Sequence, residues 1–162
     1  MKKLNNSKIL NTIITTGITL TLLLLILIPL FLTAMFKTDS SFMKSNLVTI
    51  ISIGIYICAI PYVLALIYLK KLCKLITDKN PFSKDIPNII RKIAYCSFSE
   101  LILFNLVNLY LSYFYGVYLY ALTIMSCLLV SFISLSIGFF ALVSSKLFEI
   151  TLGIKDENDK TI

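Results

Sequence analysis

Three long stretches without charged side chains constrain this chain more than any other feature of its sequence. Residues 9–36 and 45–69 contain no charge, and residues 93–145 contain a single one, Glu100. A helix that crosses the hydrocarbon core of a bilayer needs about 20 apolar residues. The first two stretches are therefore each long enough for one span, and the third is long enough for two spans with a turn between them. The sequence predicts an all-α membrane protein with four transmembrane helices in one bundle.

The predicted domain organisation follows from the same stretches. We expect a single four-span membrane domain over residues 1–162, with a loop at 70–92, a tail at 146–162, and spans at about 9–36, 45–69, 93–114 and 118–145. The basic start resembles that of a signal peptide, but the apolar run after it far exceeds the usual core of about 7–15 residues and ends without an A-x-A-like site. We therefore expect this run to remain in the chain as the first span.

The Lys and Arg residues outside the spans predict the orientation in the membrane. Segments 1–8, 70–92 and 146–162 share one side and hold thirteen of them, whereas the segments on the opposite side hold two. Because cytoplasmic loops collect Lys and Arg, both termini and the loop at 70–92 are predicted to be cytoplasmic. The net charge of +7 is then a signal of topology, and the loop is expected to contact anionic lipids of the inner leaflet.

Composition argues against several kinds of chemistry. The chain has no histidine, and its four cysteines form no C-x-x-C motif, so Ser-His catalysis, His-ligated metals and thiol redox sites have no support. Five scattered glycines form no phosphate-binding loop. We therefore expect a protein that is not an enzyme, has no cofactor and no metal, and does not bind nucleic acid directly.

The loop at 70–92 is predicted to be a basic helical hairpin between spans two and three. Leu72, Leu75 and Ile76 continue the helical spacing of span two, and Pro81 then interrupts the helix. Ser83 or Asp85 can cap the next helix. Its apolar stripe comprises Ile86, Ile89, Ile90, Ile93 and Ala94.

Span three carries a candidate intramembrane polar site. On a helical projection, five of its polar residues fall within an arc of roughly 140°: Ser97, Glu100, Asn105, Asn108 and Ser112. A carboxylate that faces lipid is costly, so Glu100 is expected to face the bundle and either pair with a cation, such as Lys92 or Lys146, or stay protonated. Two interpretations remain open: a proton, ion or peptide site, and hydrogen bonding that holds the helices together.

Small residues predict how the helices pack, because helices in lipid associate through close backbone approach and polar contacts. Span four has a seam of small residues along its whole length: Thr123, Cys127, Ser131, Ser134, Gly138, Ala141 and Ser145. A shorter seam in span two contains Gly54, Cys58, Pro61 and Ala65. We expect both to be packing faces within the chain, and a homo-oligomer is the alternative use of such a face.

Two motifs resemble a known family. They are the turn Asn80-Pro81-Phe82-Ser83 and a tail that runs from Leu147-Phe148-Glu149 through Lys155 and Glu157-Asn158-Asp159 to Thr161-Ile162. In both, the chain resembles small bacterial four-span proteins catalogued as domain of unknown function 2975, although only Arg91-Lys92 stands where the family usually has an Arg-rich run. The resemblance covers the four-span layout and implies a bacterial plasma membrane but no established activity. Genes of the family often lie beside a small helix-turn-helix regulator, which implies a cytoplasmic protein partner.

Three functions are consistent with these features. The first is a regulatory or sensory module whose surface for a cytoplasmic partner, such as a small helix-turn-helix regulator, would comprise Asn80, Pro81, Phe82, Ser83, Arg91, Lys92, Glu157, Asn158 and Asp159. The alternative is an immunity protein that protects against a membrane-active peptide such as a bacteriocin. The third is a small channel or transporter subunit lined by Glu100, Asn105 and Asn108.

Overall fold

The secondary structure in the described part of the chain is entirely α-helical. The computed structural model describes residues 2–36, 46–77, 83–116, 120–158 and 160. Its helices are α1 (Lys2–Phe36), α2 (Leu47–Thr77), α3 (Asp85–Tyr115) and α4 (Tyr120–Asn158). All four are long and apolar enough to cross a membrane, and the described residues contain no strand. This confirms the prediction of an all-α fold with four spans, whereas the predicted orientation stays a prediction.

All four helices extend beyond the predicted spans, and α1 begins at Lys2 instead of near residue 9. α2 continues from Leu69 to Thr77, α3 begins at Asp85 instead of near residue 93, and α4 continues from Ser145 to Asn158. With a rise of 1.5 Å per residue, α4 is about 58 Å long, nearly twice the hydrocarbon thickness of about 30 Å. The extensions of α2, α3 and α4, with the residues next to them, form what we call the basic end of the molecule: residues 70–77 of α2, 83–94 at the start of α3, and 141–158 of α4.

The start of α3 explains why the second arm of the predicted hairpin and span three are one helix. The hydroxyl of Ser83 accepts a hydrogen bond from the backbone N–H of Asp85 at 3.3 Å, and the carbonyl of Ser83 accepts one from Ile86 at 3.1 Å. Pro87 lies in the first turn of α3, where backbone N–H groups have no partner within the helix, so the missing N–H of proline costs no helical hydrogen bond. No helix-breaking residue follows until Gly116, which ends α3 in a left-handed conformation with φ of 62°.

The helices pack in the order of the chain. α1 contacts α2, α2 contacts α3, and α3 contacts α4. The phenol of Tyr56 in α2 donates a hydrogen bond to the carbonyl of Leu25 in α1 at 3.2 Å. Among the described residues, α1 has no comparable contact with α3 or α4, so it is attached to the other helices mainly through α2.

The best-packed core lies at the basic end. Ile86 is 1% exposed and Ala94 is fully buried, and both belong to a cluster with Ile90 and Ala141. Leu72, Leu75, Phe98 and Leu142 pack around this cluster. The hydrophobic effect acts only where water is the alternative environment, so buried apolar residues are expected to gather where the helices leave the lipid.

The small-residue seam of α4 faces α3. Ser134, Gly138, Ala141 and Ser145 are buried, and the three seam residues nearer the start of α4 are half-buried. Ser145 donates a hydrogen bond to the carbonyl of Pro87 at 2.8 Å. In α2, Gly54, Cys58 and Pro61 are buried, and Gly54 lies directly against Val107 of α3. α3 is therefore the central helix, with a small-residue face on either side.

The charge asymmetry makes a prediction that labelling can check. In a variant whose four native cysteines are replaced by alanine, Ser40→Cys should react with a membrane-impermeant maleimide added outside intact cells. Asn158→Cys should react only after the cells are opened, because the basic end is predicted to face the cytoplasm. Labelling of position 158 in intact cells would contradict the predicted orientation.

Candidate functional site

Glu100 lies on the inner side of α3, facing α2 and α4. Its carboxylate is half-buried, and the oxygen Oε2 has neither solvent contact nor a hydrogen-bond partner among the described residues. Native proteins rarely leave a buried polar atom without a partner, and such an atom calls for an explanation. Glu100 is therefore the first residue to consider as a functional group.

The two lysines predicted as partners of Glu100 are engaged elsewhere. The ammonium of Lys92 lies 5.6 Å from the ring centroid of Tyr68, in a cation–π contact. The ammonium of Lys146 lies 3.3 Å from Oε2 of Glu149, one turn further along α4. Lys92 is two helical turns from Glu100, about 12 Å along the axis, and its long side chain extends towards the basic end. The angular position of Lys92 on the helix therefore does not determine which group its ammonium contacts.

Two cavities meet at Glu100. The first, of about 470 Å³, has walls from all four helices, and its polar or sulfur-containing lining groups other than Glu100 belong to Thr21, Cys58, Tyr62, Asn108 and Thr123. The second, of about 420 Å³, lies between α2, α3 and α4 and is also lined by Glu100 and Tyr62. The other lining residues are mostly aliphatic. Cavities of roughly 300–1,000 Å³ with apolar walls and a few polar groups are typical of small-molecule sites.

The remaining residues of the predicted polar site form hydrogen bonds within and between helices. The Asn105 amide donates to the hydroxyl of Ser131 in α4 at 2.9 Å, and Ser97 donates to the carbonyl of Ser134 at 2.8 Å. The Asn108 amide donates to the carbonyl of Phe104 within α3 at 2.9 Å, and Ser112 lies half-buried one turn further on. Ser97 and Asn105 therefore join α3 to α4, which matches the structural interpretation. Glu100 does not take part.

Ion pairs connect α3 to α4 at the basic end. The guanidinium of Arg91 donates to Oε1 of Glu149, and the ammonium of Lys84 lies 3.1 Å from Oδ2 of Asp156. Glu149 also pairs with Lys146 and thus bridges two cations. Exposed pairs contribute little singly, but Arg91 and Glu149 are both about two-thirds buried, which strengthens their contact. These pairs hold the extension of α4 against α3.

The predicted partner surface is only partly described. Asn80, Pro81, Phe82 and Asp159 lie outside the described residues. Lys92 is exposed, and Glu157 and Asn158 are exposed at the last turn of α4. Arg91 belongs to the contact with Glu149, and the hydroxyl of Ser83 accepts a hydrogen bond from the first turn of α3, so both have structural roles in addition to any role in binding.

A feature of the basic end that the sequence analysis did not assign to a site is an apolar stripe on α4. Leu147, Ile150 and Ile154 are 59%, 52% and 56% exposed, respectively. They share one face of the helix, opposite the face that packs on α3. We call these three residues the α4 stripe. Their helical spacing was the available signal, but it could not show that the face stays uncovered.

The comparisons with known proteins identify a family. The family model described as "Protein of unknown function (DUF2975)" matches residues 33–162, which include α2, α3 and α4. The chain belongs to this family. No curated protein and no solved structure matches the chain. The match confirms the resemblance inferred from the turn at 80–83 and from the tail, and it includes Glu100, the ion pairs and the α4 stripe.

Proposed function

We propose that the protein is a non-enzymatic regulatory or sensory module of the bacterial plasma membrane. In this proposal the basic end lies in the cytoplasm and acts on a cytoplasmic protein, such as a small helix-turn-helix regulator. The observation that carries the proposal is the α4 stripe. Three large aliphatic side chains are exposed on a segment that also carries Lys146, Glu149, Lys155, Asp156 and Glu157.

The predicted end of span four near Ser145 would place the α4 stripe outside the lipid. α4 is one continuous helix from Tyr120 to Asn158, so its extension follows the axis of the span away from the membrane. Ile154 lies nine residues beyond Ser145, about 13 Å along the helix. Apolar surface exposed to water in this way is typical of a site for another protein, and an amphipathic helix of a partner fits such a stripe.

The ion pairs support the same proposal, because a docking surface must be held in place. Lys84, just before α3, and Arg91 in α3 contact Asp156 and Glu149 in α4 on the face opposite the stripe. The extension of α4 is thereby fixed to the packed core of the basic end. Because the ion pairs join α4 to α3, a change in the packing of the spans would move the α4 stripe, as a sensory module requires.

A binding measurement with a matched pair of variants tests the proposal. A small helix-turn-helix regulator of the kind often encoded beside genes of the family should bind the protein in nanodiscs, and Ile150→Asp should weaken binding by about tenfold or more, because it places a charge in an apolar contact. Gly153→Asp is the control: it adds the same charge three residues further along, about 60° around the helix from Ile150, where nothing lies within 4 Å.

Two outcomes would contradict the proposal. The regulator could fail to bind the wild-type protein, or the two variants could bind it equally well. An immunity protein would instead leave the regulator unbound and would raise the concentration of a membrane-active peptide needed to kill the cell. Killing curves with and without the gene, measured for a panel of membrane-active peptides, separate that alternative.

A further inference from the structure

The carboxylate of Glu100 lacks a hydrogen-bond donor for one of its two oxygens among the described residues. Its Oε2 is buried without a hydrogen bond among the described residues, although Tyr62 and Asn108 line the same cavity. One N–H of the Asn108 amide donates to the carbonyl of Phe104, and neither Asn108 nor Tyr62 donates to Oε2. An unmatched carboxylate inside a membrane is costly, so a ligand that supplies a positive charge with an N–H donor would be stabilised there.

The surroundings of Glu100 favour an organic cation over an inorganic one. Ca²⁺ takes about six to eight oxygen ligands, and Mg²⁺ needs a nearly complete octahedron. Among the residues that the structure describes, no three His, Cys, Asp or Glu side chains lie together. The cavity supplies one carboxylate and largely aliphatic walls, which suit an ammonium group attached to an apolar body.

The packing of α1 provides a route into the cavity. Thr21 and Leu25 of α1 form one wall, yet α1 is attached chiefly to α2 and makes no extensive contact with α4 in the described residues. The side between α1 and α4 therefore faces lipid without a tight helix–helix contact. A lipophilic amine that has partitioned into the bilayer could enter there without crossing water.

We propose that the cavity between the four helices binds a lipophilic primary amine in its protonated form. The ammonium group donates a charge-assisted hydrogen bond to Oε2 of Glu100, and the apolar body fills the cavity of about 470 Å³. The amine is either a free small molecule or the headgroup of phosphatidylethanolamine. Such a ligand would be a signal for the module proposed above, but its binding does not depend on any cytoplasmic partner.

The test uses the full chain in nanodiscs of phosphatidylcholine and the ligand pair 4-phenylbutylamine and 4-phenyl-1-butanol. These compounds share an apolar body, and only the amine carries a charge. Equilibrium dialysis against empty nanodiscs should show saturable binding of the amine. Glu100→Gln, which keeps the size of the side chain, should weaken amine binding by about tenfold or more and should leave binding of the alcohol unchanged.

A second pair of variants keeps the Glu100 carboxylate and tests whether the amine occupies the cavity. Thr21→Phe places a ring in the cavity and should abolish amine binding, whereas Leu24→Phe adds the same ring on the exposed face of α1 and should not.

Adding phosphatidylethanolamine to the nanodiscs identifies whether the natural ligand is a free amine or the lipid headgroup. Displacement of the amine indicates the lipid headgroup, and no displacement indicates a free amine. Both results support the site.

Equal amine binding by the wild type and Glu100→Gln, with both folded by circular dichroism, would overturn the inference. So would amine binding that Thr21→Phe leaves intact, or no binding to the wild type. The assay contains no regulator, whereas the test of the α4 stripe contains no amine. Failure of one proposal is therefore distinguishable from failure of the other.

Discussion

Gly138→Leu is expected to destabilise the protein strongly. A Cβ atom built on Gly138 lies only 2.8 Å from Cε1 and Cζ of Phe98, closer than real side chains approach. The ring of Phe98 cannot easily move away, because it contacts Phe139 edge-on with centroids 5.6 Å apart and packs against the core of the basic end. Leucine at this position would therefore push α3 and α4 apart.

The expected loss is about 2–3 kcal/mol or more, the usual penalty for overpacking, and a thermal unfolding midpoint lower by about 5 °C or more. Circular dichroism in a mild detergent measures this midpoint. Gly153→Leu is the matched control: it makes the same change in the same helix, where a Cβ meets nothing within 4 Å. Equal midpoints for the two variants would mean that the contact between Gly138 and Phe98 does not hold the helices together.

The number and type of helices could be predicted because the membrane restricts the choices. Charge-free runs of 25 residues or more in residues 9–36 and 45–69 leave few alternatives to spanning helices. The apolar stripe that begins at Ile86 also predicted that the helix continues outside the lipid. The spans alone could not show that the second arm of the hairpin and span three form one uninterrupted helix, because the hydrophobic pattern changes where α3 leaves the membrane.

The sequence contains a spacing of charged residues that indicates the ion pairs at the basic end. Continuing the seam of α4 beyond Ser145 by one turn reaches Glu149, and two further turns reach Asp156. Both positions are acidic. Lys84 and Arg91, at the start of α3, have the same spacing of seven residues, and the structure pairs the two sets. A seam that changes from small residues to charged ones thus indicates where packing in lipid gives way to packing in water.

The surroundings of Glu100 could be predicted only in part. The helical projection placed Glu100 on the inner face of span three, and the structure has it lining the cavities there. The choice of partner could not be predicted, because Lys92 and Lys146 each have a nearer contact, with Tyr68 and Glu149. The cavities could not be predicted from the sequence either, since their size depends on how closely the four helices approach one another.

The second large effect is expected for Ile86→Ala, which tests whether the basic end stabilises the whole molecule. Ile86 is 1% exposed and lies at the centre of the cluster with Ile90, Ala94 and Ala141. Removing a buried aliphatic side chain of this size costs about 2–5 kcal/mol, because apolar contacts are lost and a void remains. The free energy of unfolding, measured by SDS titration in mild detergent, should fall by that amount.

Ile102→Ala is the control in the same helix. Ile102 is 56% exposed and faces lipid, and lipid chains surround the side chain whether or not the helices are assembled. Its loss should therefore change the free energy of unfolding by less than about 1 kcal/mol. Similar losses for the two variants would mean that burial from water at the basic end adds nothing, and that contacts within the lipid alone hold α2, α3 and α4 together. A large loss for Ile86→Ala alone would show that a water-driven core holds the ends of the helices that carry the α4 stripe.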